Sequence, residues 1–317
     1  MVPSKRDLVI FLPIQIQYFP FFPTFMKYIL QNSSPKLLLK LYQCCKYFYF
    51  KSKITIAPNV YCQNHPSYHF ERINFNNKSF KHCLPNTEKL WLTDKFHVKI
   101  YDDDNGYSYQ SIGNQVLNKI FRNNLKELKI ESKRTDFKDL EILLKSPNLT
   151  KVELATSVED YVLNKIFRNN LKKLKIESKR TDFKELEILL KSPNLTKAEL
   201  ATSVEDYGGN LISVEEIMIL VPQVEHFEIF STNITLESFN KLSKVKFLNK
   251  FQRVCFYKVR NEFDPITMCK FLEENFGENA DFRFTLRSQS LHLELCSKVK
   301  ELIDGWKTKK IKHFYFH

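Results

Sequence analysis

Five side chains able to hold a metal crowd one short stretch: Cys62, His65, His69, His82 and Cys83, with Cys-x-x-His and His-x-x-x-His spacings among them. Thiolate and imidazole are the ligands that zinc takes in a tetrahedral site. The spacing matches no closed Cys/His finger, and histidines beside Pro66 and several aromatics read as ordinary members of a loop-rich segment, so no metal is assigned. Phosphate-cradling folds lack their main ingredient: the chain has 6 glycines in 317 residues, with neither GxGxxG nor GxxxxGK[ST]. No nucleophile and base, and no pair of carboxylates, stand at a spacing that marks a catalytic centre. The expectation is a non-catalytic protein without a cofactor, whose business is binding.

Composition narrows what is bound. Forty-nine Lys and Arg against 36 Asp and Glu leave a net charge of +13, which favours acidic partners. Seven cysteines, an odd number that includes the neighbours Cys44 and Cys45, do not form a secreted disulfide framework and point to the reducing cytoplasm or nucleus. The apolar stretch Leu8–Phe25 is broken by Pro13, Pro20 and Pro23 and diluted by Gln15 and Gln17, so no membrane span is expected.

Positioning falls to an internal repeat. Val116–Tyr161 recurs as Val162–Tyr207, the two copies differing only at Glu127/Lys173, Asp139/Glu185 and Val152/Ala198. Each copy carries two strand phrases: LKELKI at Leu125–Ile130 and LTKVEL at Leu149–Leu154, then LKKLKI at Leu171–Ile176 and LTKAEL at Leu195–Leu200, with starts 24, 22 and 24 residues apart. In a strand the first, fourth and sixth positions of LxxLxL face inward, so Leu125, Leu128 and Ile130 belong to a core while Glu127 and Lys129 face out. Between the strands, apolar residues at 137, 140, 143 and 144 predict a helix over Asp136–Lys145, stopped by Pro147. A second helix is predicted over Val158–Arg168, with Ser157 as its N-cap. Looser copies occur at Pro85–Leu92, Pro222–Ile229, Phe251–Phe256, Phe282–Leu286 and Ile311–Phe316.

These units resemble leucine-rich repeats, which run about 20–29 residues and open on LxxLxL. The resemblance implies an α/β solenoid of short parallel strands alternating with helices over residues 85–317, although the usual buried Asn position is Lys133 or Ser157 here. Residues 53–84 read as a connecting segment, and Asp102–Gly106 as an exposed turn.

Residues 1–52 follow another pattern. Thr24 is a candidate N-cap before Phe25, Met26, Ile29 and Leu30 at helical spacing; Ser34-Pro35 opens a second helix, with Leu38, Leu41, Cys45 and Phe48 along one face. Two such helices cannot bury both stripes against each other, and a partner surface would cover the surplus. Phe22-Pro23, Ile29-Leu30, Pro35 and Cys45-Lys46-Tyr47-Phe48 resemble an F-box, and Ser-Pro-Lys-Leu-Leu-Leu-Lys-Leu resembles the divergent F-box families of nematodes. That resemblance implies the substrate receptor of a Skp-cullin-F-box ubiquitin ligase. Phe22, Pro23, Ile29, Leu30, Pro35, Leu38, Leu41, Cys45 and Phe48 would form or support the surface for the acidic Skp adaptor, which connects to a cullin. Seven cations against Asp7 alone in residues 1–52 give +6, which suits that partner.

The outward strand positions are the expected face for a protein substrate: Glu127, Lys129, Lys151, Glu153, Lys173, Lys175, Lys197, Glu199, His226, Glu228 and Arg253. The alternative is a non-ligase scaffold for nucleic acid or another acidic partner, drawing on Lys133-Arg134, Lys179-Arg180 and the basic run Lys307–Lys312. The repeats net only +1 and +3 and mix signs throughout, so nucleic acid is the less expected partner.

Overall fold

The computed structural model describes residues 22–44, 48, 50, 53–65, 70–75, 78–81, 88–100, 116–134, 142–157, 170–230, 233–259, 263–286, 289–305 and 311–316. Its centre is a 13-stranded sheet built from β1 (Ile54–His65), β2 (Phe70–Phe75), β3 (Lys78–Lys81), β4 (Lys89–Ile100), β5 (Ile120–Asn123), β6 (Glu127–Arg134), β7 (Lys151–Ser157), β8 (Lys173–Asp182), β9 (Lys197–Glu205), β10 (His226–Phe230), β11 (Phe251–Val259), β12 (Phe276–Leu286) and β13 (Ile311–Phe316). The strands stack in chain order from β6 to β13, with β4 and then β1 beyond β6; β5 pairs with the first half of β4. All neighbours are parallel except the hairpins β1–β2 and β2–β3 at one end. A parallel neighbour requires a crossover, and the crossovers lie along the sheet as α3 (Phe183–Leu190), α4 (Val214–Ile219), α5 (Ser238–Leu242), α6 (Pro265–Asn275) and α7 (Gln289–Asp304), which follow α1 (Pro23–Asn32) and α2 (Pro35–Cys44). The chain is α/β, with a large, mainly parallel sheet whose alternation of strand and helix is consistent with a solenoid-like repeat.

Side-chain alternation sets the register. Phe96, Leu128, Val152, Leu174, Ala198, Phe227, Val254, Phe282 and Phe314 form one inward row across nine strands, all buried apart from the half-buried Phe314. The smaller Ala198 stands where the row meets Phe227. Beyond β9 the core changes from leucine to phenylalanine, with Phe239, Phe256, Phe263, Phe271 and Phe282 packed mainly edge to face. Larger rings fill the space with less regular spacing, which is why the carboxy-terminal units look loose in sequence.

The predicted helix of the repeat is present in the second copy as α3. Leu186, Leu189 and Leu190 are fully buried, and the Asp182 side chain accepts a hydrogen bond from the Lys184 backbone N–H at 2.8 Å. In the first copy residues 142–144 are helical and bury Leu143 and Leu144. The helix predicted over Val158–Arg168 lies outside the described residues. The first copy of its main part is instead a helical turn at 116–117 followed by β5, because Ile120–Asn123 finds the backbone of β4 to pair with.

Among the described residues, serine, asparagine and glutamine side chains stitch one turn to the next; the side chains of Lys133 and Ser157 lie outside the described residues. Ser146 and Ser192, both buried, donate to the carbonyls of Leu125 and Leu171 at 2.8 and 3.0 Å. Asn170, Gln223 and Asn249 donate to the carbonyls of Pro147, Ser192 and Gln223 at 2.9, 2.7 and 2.7 Å. Each bond ties one turn to the next and satisfies a carbonyl that the strands leave unpaired.

Two boundaries differ from expectation. The sheet begins at Ile54, so the segment 53–84 is no connector: it supplies β1 to β3. The upstream strand expected at Pro85–Leu92 runs instead over Lys89–Ile100 and carries an extra residue, the register with β1 slipping between Ala57 and Asn59. Before that bulge, Ile54, Ile56 and Trp91 face away from the main core and make a platform for α2.

Candidate functional site

The helical pair presents one face to that platform and another to solvent. α1 starts one residue before Thr24, with Phe22 at the N-cap and Pro23 in the first turn, so Thr24 lies inside the helix. Ser34 caps α2 as expected, its Oγ accepting from the Leu37 N–H at 3.3 Å. Leu38, fully buried, packs on Ile54, Ile56 and Trp91; Met26 packs on Phe48, with Ile29, Leu30, Leu41 and Tyr42 half-buried around them. Full burial of one leucine is worth about 1.5–3 kcal/mol, enough to fix the hairpin to the sheet. The chain's own strands therefore cover part of the surplus apolar surface that the sequence assigns to a partner.

An apolar surface remains. Phe22 is 81% exposed and Tyr28 61%, and Phe25 between them is also exposed, one stripe at i, i+3 and i+6 of α1. α2 adds exposed Leu37 and Leu39. Lys27, Lys36 and Lys40 are exposed beside these groups, and residues 22–44 contain no acid. Of the residues expected at the adaptor surface, Phe22 and Pro23 are exposed, and Ile29, Leu30, Pro35 and Leu41 are half-buried. Leu38 and Phe48 lie beneath as support, and Cys45 falls outside the described residues. Tyr28, Leu37 and Leu39 escaped the sequence reading because they are out of phase with the stripe that faces the platform, and Phe25, read as part of the apolar stripe of the first helix, was not assigned to the adaptor surface.

The second surface is the outer face of the sheet, where the eleven expected residues fall in two rows. One runs Lys95, Glu127, Lys151, Lys173, Lys197, His226, Arg253, Asp281; the other His97, Lys129, Glu153, Lys175, Glu199, Glu228, Cys255, Arg283. Lys95, His97, Lys99, Glu131 and Glu177 belong to this face although the sequence reading omitted them; the extra residue in β4 hid the first three. Ion pairs knit much of it together: Lys95–Glu127 at 3.0 Å, Lys151–Glu153 at 2.6 Å, Lys129–Glu131 at 2.6 Å and Lys99–Glu131 at 3.0 Å. Lys129 and Lys99 hold the Glu131 carboxyl down to about 2 against the opposing pull of burial. At the other end Arg253 lies between Glu228 at 2.8 Å and Asp281 at 3.4 Å, and Phe230 stacks on Tyr257. Cys255 sits in the outer row yet is fully buried, and burial pushes its thiol above the ordinary value, away from the thiolate that nucleophilic chemistry needs. A cleft of about 30 Å³ opens over β7, lined by Lys129, Glu153, Ala155, Lys175 and Glu177 among others.

Other sequence features resolve differently. Cys62 points into the main core, while the side chains of His65, His69, His82 and Cys83 lie outside the described residues. No three metal-ligating side chains converge among the described residues. Arg180 of one basic pair is bound to Glu205 at 2.7 Å, and Ile311–Phe316 of the basic carboxy-terminal segment forms β13. No helix among the described residues is long and apolar enough to cross a membrane. No protein-family profile, curated protein or solved structure matches the chain.

Proposed function

We propose that this chain is a substrate receptor of the Skp-cullin-F-box type, holding the Skp adaptor on α1 and α2 and a protein client on the outer face of a leucine-rich-repeat-like sheet. One observation carries the reading: the hairpin is attached to the sheet through Leu38 while Phe22, Phe25, Tyr28, Leu37 and Leu39 stay exposed on it, with three lysines and no acid in residues 22–44. Exposed aromatic and leucine side chains ringed by one sign of charge suit an acidic partner with an apolar groove. Rigid attachment suits the task, because a receptor contributes only position, and a loosely tethered client would lose the effective concentration on which transfer depends.

The chain catalyses nothing in this scheme. Its work in the cytoplasm or nucleus is to present a client to an enzyme carried by the cullin. The second reading, a scaffold for nucleic acid, has weaker support, since most cations of the outer face are already engaged by carboxylates. Capture of purified Skp adaptor by the full chain tests the reading. Wild type should retain adaptor, and Phe25→Asp with Tyr28→Asp should not; equal recovery would falsify it.

A further inference from the structure

The duplicated repeat is nearly perfect, and one of its three differences reverses a charge on the outer face. In the first copy Glu127 lies 3.0 Å from Lys95 and opposite Lys151 in the register. In the second copy its counterpart is Lys173, flanked on the neighbouring strands by Lys151 and Lys197. Three lysines thus stand directly opposite one another across β7, β8 and β9. The two outer ones turn along their own strands to Glu153 and Glu199, at 2.6 and 2.5 Å. Lys173 is exposed and no carboxylate among the described residues reaches it.

Like charges directly opposed in a sheet destabilise it, by some tenths of a kcal/mol for each pair. The surface therefore keeps three lysines side by side at its centre, and of these Lys173 has no carboxylate within reach among the described residues. Two residues beyond Glu153 on β7, the small side chain of Ala155 lines the cleft together with Glu177.

We infer that the row Lys151–Lys173–Lys197 recognises an extended, carboxylate-rich segment of the client protein. The inference rests on the client-face reading given above and adds the chemistry of what is bound. Strands in a sheet lie about 4.8 Å apart, so the row is about 10 Å long, and an extended peptide crossing it places same-side residues about 6.7 Å apart. Two acids at alternate positions span it. Glu153 and Glu199 in the next row then discriminate against a continuous polyanion. No aromatic side chain projects outward from β6–β9 to stack on a base, so a protein segment fits better than nucleic acid.

The test uses the full chain and a fluorescein-labelled peptide of alternating Glu and Ala, followed by anisotropy, with an alternating Gln-Ala peptide and an oligothymidylate of matched charge as comparisons. The Glu-Ala peptide should bind, and binding should weaken as salt rises. Lys173→Glu, which restores the residue of the first copy, should weaken it about tenfold, and Lys173→Ala less. Glu127→Lys should strengthen it by lengthening the row. Equal binding of the Gln-Ala peptide, indifference to Lys173→Glu with an unchanged melting temperature, or tighter binding of oligothymidylate with the same Lys173 dependence each overturns the inference. Adaptor capture on the same samples separates the two claims. A chain that retains adaptor and ignores the peptide refutes the lysine row alone; one that binds peptide through Lys173 and no adaptor supports the row and refutes the receptor reading.

Discussion

Arg122 lies over the ring of Trp91, 4.6 Å from its centroid, and donates from its guanidinium to the carbonyl of Gln31 at 2.6 Å. Trp91 and Arg122 are register partners on β4 and β5, and Gln31 is in the last turn of α1, so one side chain links the sheet to the helical hairpin. Last-turn carbonyls have no partner within their own helix, and a cation there also meets the negative end of the helix dipole. The hairpin is therefore held at two points: Leu38 beneath α2 and Arg122 at the end of α1.

Arg122→Ala removes a cation–π contact and a charge-assisted hydrogen bond, together about 1–2 kcal/mol at a partly exposed site. The loss is local. Hydrogen exchange should speed up in α1 and α2 while β6–β12 keep their protection, and the main melting transition should move little. Leu38→Ala leaves a cavity and should release the hairpin further, by about 2–4 kcal/mol.

Ser192→Ala leaves the Leu171 carbonyl buried without its donor and should cost about 1–2 kcal/mol in denaturant unfolding. Ser146→Ala should cost the same at the equivalent turn of the first copy. In a solenoid each turn contacts only its neighbours, so the two losses should add in the double variant.

The leucine phrases of the duplicate placed β6 to β9 and their inward and outward residues correctly, because a two-residue alternation repeated four times leaves one consistent register. Ser34-Pro35 likewise marked the start of α2. Three things were not legible. The platform under α2 depends on a bulge in β4 that alternation alone does not reveal, and so the reading of Leu38 as forming or supporting a partner surface did not include the sheet beneath it. Ile120–Asn123 follows a helical phase yet becomes β5, because a backbone edge from distant residues outweighs local preference. The inter-turn ladder of Ser146, Ser192, Gln223 and Asn249 sits in turns, where one polar residue looks like any other until its acceptor is known.

Acid should loosen the face around β4 and β6. Glu131 titrates near 2 in the folded chain, below its value of 4.5 when unfolded, so its contribution is complete above 4.5 and is lost as pH falls toward 2. His97, 3.3 Å from Glu131, adds a shift of the same sense at higher pH. Burial lowers its folded value below 6.5 in spite of Glu131, with Lys129 and Lys99 contributing, so the unfolded chain takes up the proton first and stability falls as pH drops below 6.5. Melting temperature measured from pH 7 to pH 3 should fall in wild type. The difference between wild type and Glu131→Gln should narrow through the lower part of that range; a constant difference contradicts the assignment to Glu131.

The central claim concerns the outer side of α1 and α2. Titration calorimetry of the purified full chain with purified Skp adaptor measures it directly, with Phe25→Asp/Tyr28→Asp as the surface variant and Lys173→Glu as a distant control. The account predicts saturable binding by wild type and by Lys173→Glu, and at least about tenfold weaker binding by the surface variant at an unchanged melting temperature. Absence of heat with wild type, or equal affinity for the surface variant, contradicts it.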